Sequence, residues 1–215
     1  MAILEIDKYS NHLDLFNLSS KEIEDQIVSF NLTFINIRNQ KAEWGIKFPI
    51  FLNSFYKFIY NNKKLPSQDE FYNYYLANNN SWFKSNSLTD VVLTGLKARI
   101  YRTYPSLIRD LHFSKVLSEK FSDYLVIYNT NLDVIEGIDL LVIANNKNIA
   151  INLYTNTKRA FTGRTKKENR HIQYDNICYI ELPVAFKGSV EKGDFFLYGN
   201  REIVQLEEKI KKVSG

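Results

Sequence analysis

The chain is poor in the residues that staple, break or chelate. It has one cysteine, Cys178, in 215 residues. A single cysteine excludes an intrachain disulfide framework and a cysteine-rich zinc site, and it fits a reducing compartment. Prolines (four) and glycines (eight) are few, and no internal repeat or low-complexity block is visible. No apolar run approaches the roughly 20 residues that span a bilayer. The opening MAILEIDKYSNHLD has early acids and no long apolar stretch of the kind that marks a secretory leader. A soluble, cytoplasmic protein is expected. The sequence also lacks GxGxxG, a P-loop, HExxH and GxSxG, so dinucleotide, nucleotide, zincin and serine-hydrolase chemistries are poorly served. Cys178 lies in the apolar NICYIEL and reads as a small buried hydrophobe, not a nucleophile.

What is present is a foldable aromatic-rich chain. Hydrophobic residues make up 45%, with 14 tyrosines and 15 phenylalanines, which argues against disorder. Lys and Arg number 28 against 24 Asp and Glu, a net charge of +4. That balance permits nucleic-acid binding without demanding it, so the placement of the charge matters more than its sum.

The first part reads as helical. Ser20 as N-cap with Glu22 and Glu24 in the first turn starts a helix. Its predicted core stripe is Ile23, Ile27, Phe30, Phe34 and Ile37. A second helix is expected over FPIFLNSFYKFIYNN, with Pro49 in its first turn and Phe51, Phe55, Phe58 and Ile59 on its apolar face. Ser67 and Glu70 form a capping box for a third. Residues 81–90, SWFKSNSLTD, are polar and turn-rich and are expected to separate an N-terminal helical module (1–90) from a core (91–215). The core opens on a helix capped by Thr89 or Asp90, which Pro105 should interrupt before a further helix over PSLIRDLHFSKVLSEKF. His112 there reads as a packing residue, and His12 carries no signal.

The periodicity then changes from helical to strand-like. DYLVIYN, EGIDLLVIA and IAINLYT are β-branched and apolar, and a short Asn/Lys turn joins the last two as an antiparallel hairpin. Pairing Ala144 with Ile149 across a four-residue turn sets Asp139 opposite Tyr154 and Leu141 opposite Asn152. Asp139, Asn152, Tyr154 and Asn156 then share one face. A buried Asp on that face needs a partner or a metal; an edge hairpin turning the face to solvent is the alternative reading. Glu136, three residues from Asp139, should point to the other face. NICYIELPVAF and DFFLYGN follow as strands. REIVQLEEKIKKV closes the chain as an amphipathic helix with Ile203, Leu206, Ile210 and Val213 inward. Between IAINLYT and NICYIELPVAF lies a basic stretch with Lys158, Arg159, Arg164, Lys166, Lys167 and Arg170 against a single acid, Glu168. Spacings of three and four line several of these cations on one helix face. They serve either as a phosphate-backbone contact or as a solvated helix face. His171 reads either as a phosphate donor or general acid or as a helix-end surface residue.

The order helix, strand, strand, strand, helix, strand, with Asp139 in the second strand, resembles the PD-(D/E)XK or restriction-endonuclease-like superfamily. The resemblance implies an α/β fold, a central mixed sheet flanked by helices, behind a helical N-terminal module. In that family the second strand supplies an Asp and the third a Glu-x-Lys. Here Asn152 stands at the Glu position and Tyr154 at the Lys position. A neutral amide is a weaker ligand for a hard cation than a carboxylate. Asp110 on the preceding helix is the candidate second carboxylate, and Lys158 the candidate replacement lysine. The resemblance thus implies a metal-dependent DNA endonuclease in which Asp139, Asp110 and Asn152 hold Mg²⁺ or Mn²⁺. Asp139, Asn152 and Lys158 would be catalytic, and Lys158, Arg159, Arg164, Lys166, Lys167, Arg170 and His171 would contact nucleic acid. DNA is the implied partner, with a homodimer or a protein assembly as the second. The alternative is a nuclease fold that has lost catalysis and binds DNA or a protein partner.

Overall fold

The computed structural model describes residues 2–155, 172–184 and 188–215. The chain divides into two compact units. One comprises Phe16–Arg109 with Lys192–Phe195, and the other Met1–Leu15, Asp110–Glu191 and Phe196–Gly215. Residue 90, where the sequence suggests a boundary, is instead the first residue of a continuous helix, and the division falls within that helix. Among the described residues no helix is long and apolar enough to cross a membrane.

The first unit is helical. α1 (Ser20–Ile27) is capped by Ser19, one residue earlier than expected, whose hydroxyl accepts the Glu22 N–H while Glu22 accepts the Ser19 N–H. Ile23 and Ile27 are buried, but the predicted stripe stops there: Phe34 and Ile37 are 70% and 44% exposed. Past Ile27 the backbone leaves the helical ladder, and the Gln68 side chain bonds both Thr33 N–H and Thr33 C=O. α2 (Phe51–Asn62) ends on Lys63 in the left-handed region (φ 53°). α3 (Gln68–Asn78) carries the expected Ser67–Glu70 capping box. The boundary expected over residues 81–90 is in its first part helical, within α4 (Asn80–Asn86). Trp82 lies 5.4 Å from the Phe48 ring and Phe83 5.8 Å from Tyr75, so this stretch has apolar partners that its polar neighbours conceal.

α5 (Asp90–Lys120) runs through Pro105 without a break. A proline inside a helix leaves the carbonyl four residues back without its donor. Here that carbonyl, on Tyr101, accepts Gln68 Nε2 at 3.1 Å. One buried glutamine thus offsets the loss. The core of the unit is aromatic: Phe55 and Phe71 meet edge-to-face at 5.4 Å, and Tyr104 packs on Phe195 at 6.0 Å.

The second unit holds a four-stranded sheet in the order β1 (Leu125–Ile127), β2 (Leu140–Ala144), β3 (Lys147–Thr155), β4 (Ile177–Val184). β1–β2 and β2–β3 are antiparallel and β3–β4 parallel. The β2–β3 turn has two residues, not four. Asn145 and Asn146 both take positive φ (48° and 60°), and Ala144 pairs with Lys147. Asn tolerates that region, and a two-residue turn of this kind matches the strand twist. A two-stranded ribbon, β5 (Val190–Lys192) and β6 (Phe195–Leu197), precedes α6 (Asn200–Ser214). In α6 the predicted Ile203, Leu206 and Ile210 are buried. Phe195–Leu197 is the strand expected over DFFLYGN, and Val190–Lys192 is an additional strand that pairs with it.

Residues 2–15 cross the second unit as a strap. Leu4 N–H donates to Asn176 Oδ1 and Leu4 C=O accepts Asn176 Nδ2, both at 2.9 Å. Leu4 then joins Ile127, Leu132, Ile138, Leu141, Ala150 and Ile177 in one apolar cluster.

Candidate active site

The hairpin register decides which side chains meet. Leu140 pairs with Ile151, so one step back along β2 sets Asp139 opposite Asn152. The expected register put Tyr154 there. The shift is two residues, and because strand side chains alternate with period two, Asp139, Asn152 and Tyr154 keep a common face.

Asp139 is aimed by what precedes it. A short π-helical turn, Leu132–Glu136, ends on Gly137 in the left-handed region (φ 73°). Glycine enters that region without the side-chain clash other residues meet. Ile138 N–H then donates to Leu132 C=O at 2.9 Å, and the Ile138 side chain is buried. The Asp139 carboxylate accepts the Leu153 N–H at 2.6 Å. This charge-assisted bond ties the start of β2 to β3 and orients the carboxylate.

The parallel β3–β4 register sets Asn152 beside Glu181. Asn152 Nδ2 donates to Glu181 Oε1 at 3.2 Å. With its N–H₂ committed there, the amide oxygen Oδ1 is buried and lacks a hydrogen-bond partner among the described residues. Buried carbonyl oxygens are nearly always satisfied, so an exception asks for an explanation such as an ion or water. Lys209 of α6 donates to the Glu181 backbone carbonyl at 2.6 Å. Asp139, Asn152 and Glu181 thus lie side by side across three neighbouring strands, all half-buried. Among the described residues no group of three or more His, Cys, Asp or Glu is placed to hold a metal. The donor set offered here is two carboxylates and an amide oxygen. Such all-oxygen donors suit a hard cation like Mg²⁺, which takes one or two carboxylates and completes its shell with water and phosphate oxygens.

A family model for the TaqI restriction endonuclease matches residues 1–193. This chain belongs to the TaqI restriction endonuclease family. No curated protein and no solved structure matches it. The family match and the mixed four-stranded sheet flanked by helices agree with the restriction-endonuclease-like α/β core expected from element order. The match also takes in the helical unit, which the resemblance from residue 91 onward did not reach.

Within this TaqI-family chain the other expected site residues fall as follows. Asp110 sits on α5 and accepts the Tyr198 hydroxyl at 3.1 Å; the carboxylate set beside Asn152 is Glu181. Lys158, Arg159, Arg164, Lys166, Lys167, Arg170 and His171 lie outside the described residues, as does Asn156. His112 is buried on α5, as a packing residue should be, and Cys178 is half-buried in β4. Glu136 accepts the hydroxyls of Tyr9 and Tyr174. Burial and the Glu136 carboxylate push the Tyr9 phenol up to about 12. The hydrogen bond to Glu136, then burial, does the same to Tyr174. These hydroxyls therefore remain protonated donors at any ordinary pH.

Glu181 was missed in the sequence. Its signal is an alternation within β4: Cys178, Ile180 and Leu182 on one face, Tyr179, Glu181 and Pro183 on the other. An acid in an otherwise apolar strand was visible. Its neighbour was not, because the parallel partner is 29 residues away.

Proposed function

We propose that this chain is a metal-dependent endodeoxyribonuclease that hydrolyses phosphodiester bonds in DNA, with Asp139, Asn152 and Glu181 as its metal-binding group. The observation that carries the reading is the convergence of two carboxylates and a buried, unsatisfied amide oxygen on one sheet face of a restriction-endonuclease-family chain. Glu181 on the fourth strand takes the place of the family's third-strand Glu, with Asn152 lying between it and Asp139 on the sheet face. Mg²⁺ or Mn²⁺ bound there supplies Lewis-acid polarisation of a phosphoryl oxygen and a water of lowered pKa. The Leu153 N–H holds the Asp139 carboxylate in place, and the Asn152 amide holds Glu181. Lys158 remains the proposed cation for developing phosphate charge, and the basic residues Arg159–Arg170 with His171 the proposed backbone contact. A second reading, a DNA-binding nuclease fold without catalysis, is favoured by one observation, Tyr154 standing where the family carries lysine.

The test pairs cleavage with metal binding. Duplex DNA is incubated with Mg²⁺ or Mn²⁺, with EDTA as control, and Mn²⁺ binding is read from the electron-spin signal of the free ion. The reading expects metal-dependent cleavage that is lost in Asp139→Ala, and Mn²⁺ affinity that falls in both Asp139→Ala and Glu181→Gln. Cleavage that persists in Asp139→Ala would sink the site. DNA binding without cleavage or Mn²⁺ binding would establish the second reading.

A further inference from the structure

The helical unit carries a surface that the sheet site does not use. Residues 34–47 form an irregular loop closed by a π-helical turn, Lys41–Gly45. Trp44 sits on that turn and is 79% exposed, and Phe34 is 70% exposed. Exposing a tryptophan to this degree forgoes one of the largest burial gains a side chain offers. In the same stretch of chain Arg38, Lys41 and Lys47 are exposed and have no ion pair among the described residues. The one acid of the stretch, Glu43, is already paired with Arg102.

The loop is held firmly, which argues against a stray exposed ring. Arg102 Nη1 donates to the Ile37 carbonyl at 2.8 Å, and Arg99 Nη1 to the Ala42 carbonyl at 2.8 Å. Asn39 Oδ1 accepts the Ala42 N–H at 3.0 Å, and Ala42 is fully buried. Beneath them on α5 is Gly95. A Cβ added there would lie 2.4 Å from Asn39 Cβ and 3.1 Å from Ala42 Cβ. Gly95, Arg99 and Arg102 follow helical spacing, so one stripe of α5 seats the loop. A glycine inside a helix costs about 1 kcal/mol relative to alanine; here it permits the close approach.

We propose that this loop is a DNA-contacting element in which Trp44, supported by Phe34, packs against bases of a duplex while Arg38, Lys41 and Lys47 engage its phosphates. Charge complementarity selects the partner: exposed cations without an ion pair among the described residues flank Trp44 in the chain, the pairing of features by which proteins wedge against or stack on bases. The inference rests on the DNA reading above but concerns a different part of the chain.

The test measures affinity for a labelled mixed-sequence duplex by fluorescence anisotropy, in EDTA and again with Ca²⁺, across a salt series. Trp44→Ala is expected to weaken binding about tenfold or more, with Trp44→Phe retaining most of the affinity. Lys41→Ala and Lys47→Ala should each lower the slope of log K on log salt by about one. Gly95→Ala should weaken binding in the same direction by shifting the loop. In a Trp82→Phe chain, Trp44 is the sole tryptophan, and its fluorescence should lose accessibility to acrylamide when DNA is added. Circular dichroism of each variant checks that the fold is kept; Trp44 is on the surface, so its replacement leaves the core intact. Salt-dependent binding that Trp44→Ala leaves unchanged overturns the loop proposal while the nuclease reading stands. Absence of duplex binding by the unaltered chain at low salt overturns both.

Discussion

The two ends of one sheet face are built for opposite purposes. At one end Leu141, Ile143, Ala150 and Tyr179 pack with Ile127 and Ile177, and the strap residues Leu4, Ile6 and Tyr9 cover them. At the other end, two residues further along β3 and β4, the same face presents Asn152 and Glu181, with Asp139 before β2. Nothing in the backbone changes between the two: the pleat, the register and the strand pairing continue. Only the side chains switch from apolar to oxygen-bearing. The apolar end draws on burial, roughly 25 cal/mol for each Å² removed from water. The polar end forgoes that gain and leaves the Asn152 oxygen without a hydrogen-bond partner among the described residues, a cost that the proposed metal would offset.

Substitutions at the two ends should therefore separate activity from stability. The largest effect is expected at the polar end. Asp139→Ala and Glu181→Gln should each lower metal-dependent cleavage by more than about 100-fold, because even groups that merely hydrogen-bond to metal ligands cost about 10–100-fold when lost. Thermal melts of Glu181→Gln should show unchanged or raised stability. A large destabilisation there would mean that the polar end is structural, and the contrast would fail. At the apolar end, Leu141→Ala removes a fully buried side chain. It should cost about 2–5 kcal/mol in urea unfolding, while the surviving folded protein keeps its cleavage rate. Tyr9→Phe deletes one of the two hydroxyls on Glu136. It should cost about 1 kcal/mol, read the same way, and would show how much the strap contributes to that end.

The smallest effect concerns pH. His12 in the strap accepts the Thr130 N–H on Nδ1, and burial holds its pKa below the ordinary 6.5. The unfolded chain therefore takes up a proton at a higher pH than the folded one. This contribution to stability is complete above 6.5 and is lost as pH falls below it. Melting temperatures followed downward through that range should fall more steeply for the unaltered chain than for His12→Gln. Parallel curves would remove His12 from the account.

Much of the fold was legible where the signal is local. The Ser67–Glu70 capping box, the inward face of α6 and the β2–β3 hairpin follow from neighbouring residues. The hairpin register was displaced by two residues, yet the grouping of Asp139 with Asn152 and Tyr154 survived, since an even shift preserves which face a side chain takes. Errors arose where a distant residue intervened. Pro105 reads as a helix break until Gln68 is seen to satisfy the Tyr101 carbonyl. Phe34 reads as core by spacing, yet Thr33 is held by Gln68 outside any helix and Phe34 is left in solvent.

The same distinction holds for the candidate site. Sequence alone determined that Asp139 and Asn152 share a face, because a short local turn joins their strands and any even shift in the pairing register keeps the two on the same side. Only the tertiary structure decided that Glu181 joins them. A parallel pair is closed by a crossover instead of a tight turn, so no local residue sets its register. Glu181 arrives beside Asn152 because β4 docks on β3 as a whole, in the register that also sets Tyr179 beside Ala150 on the same face.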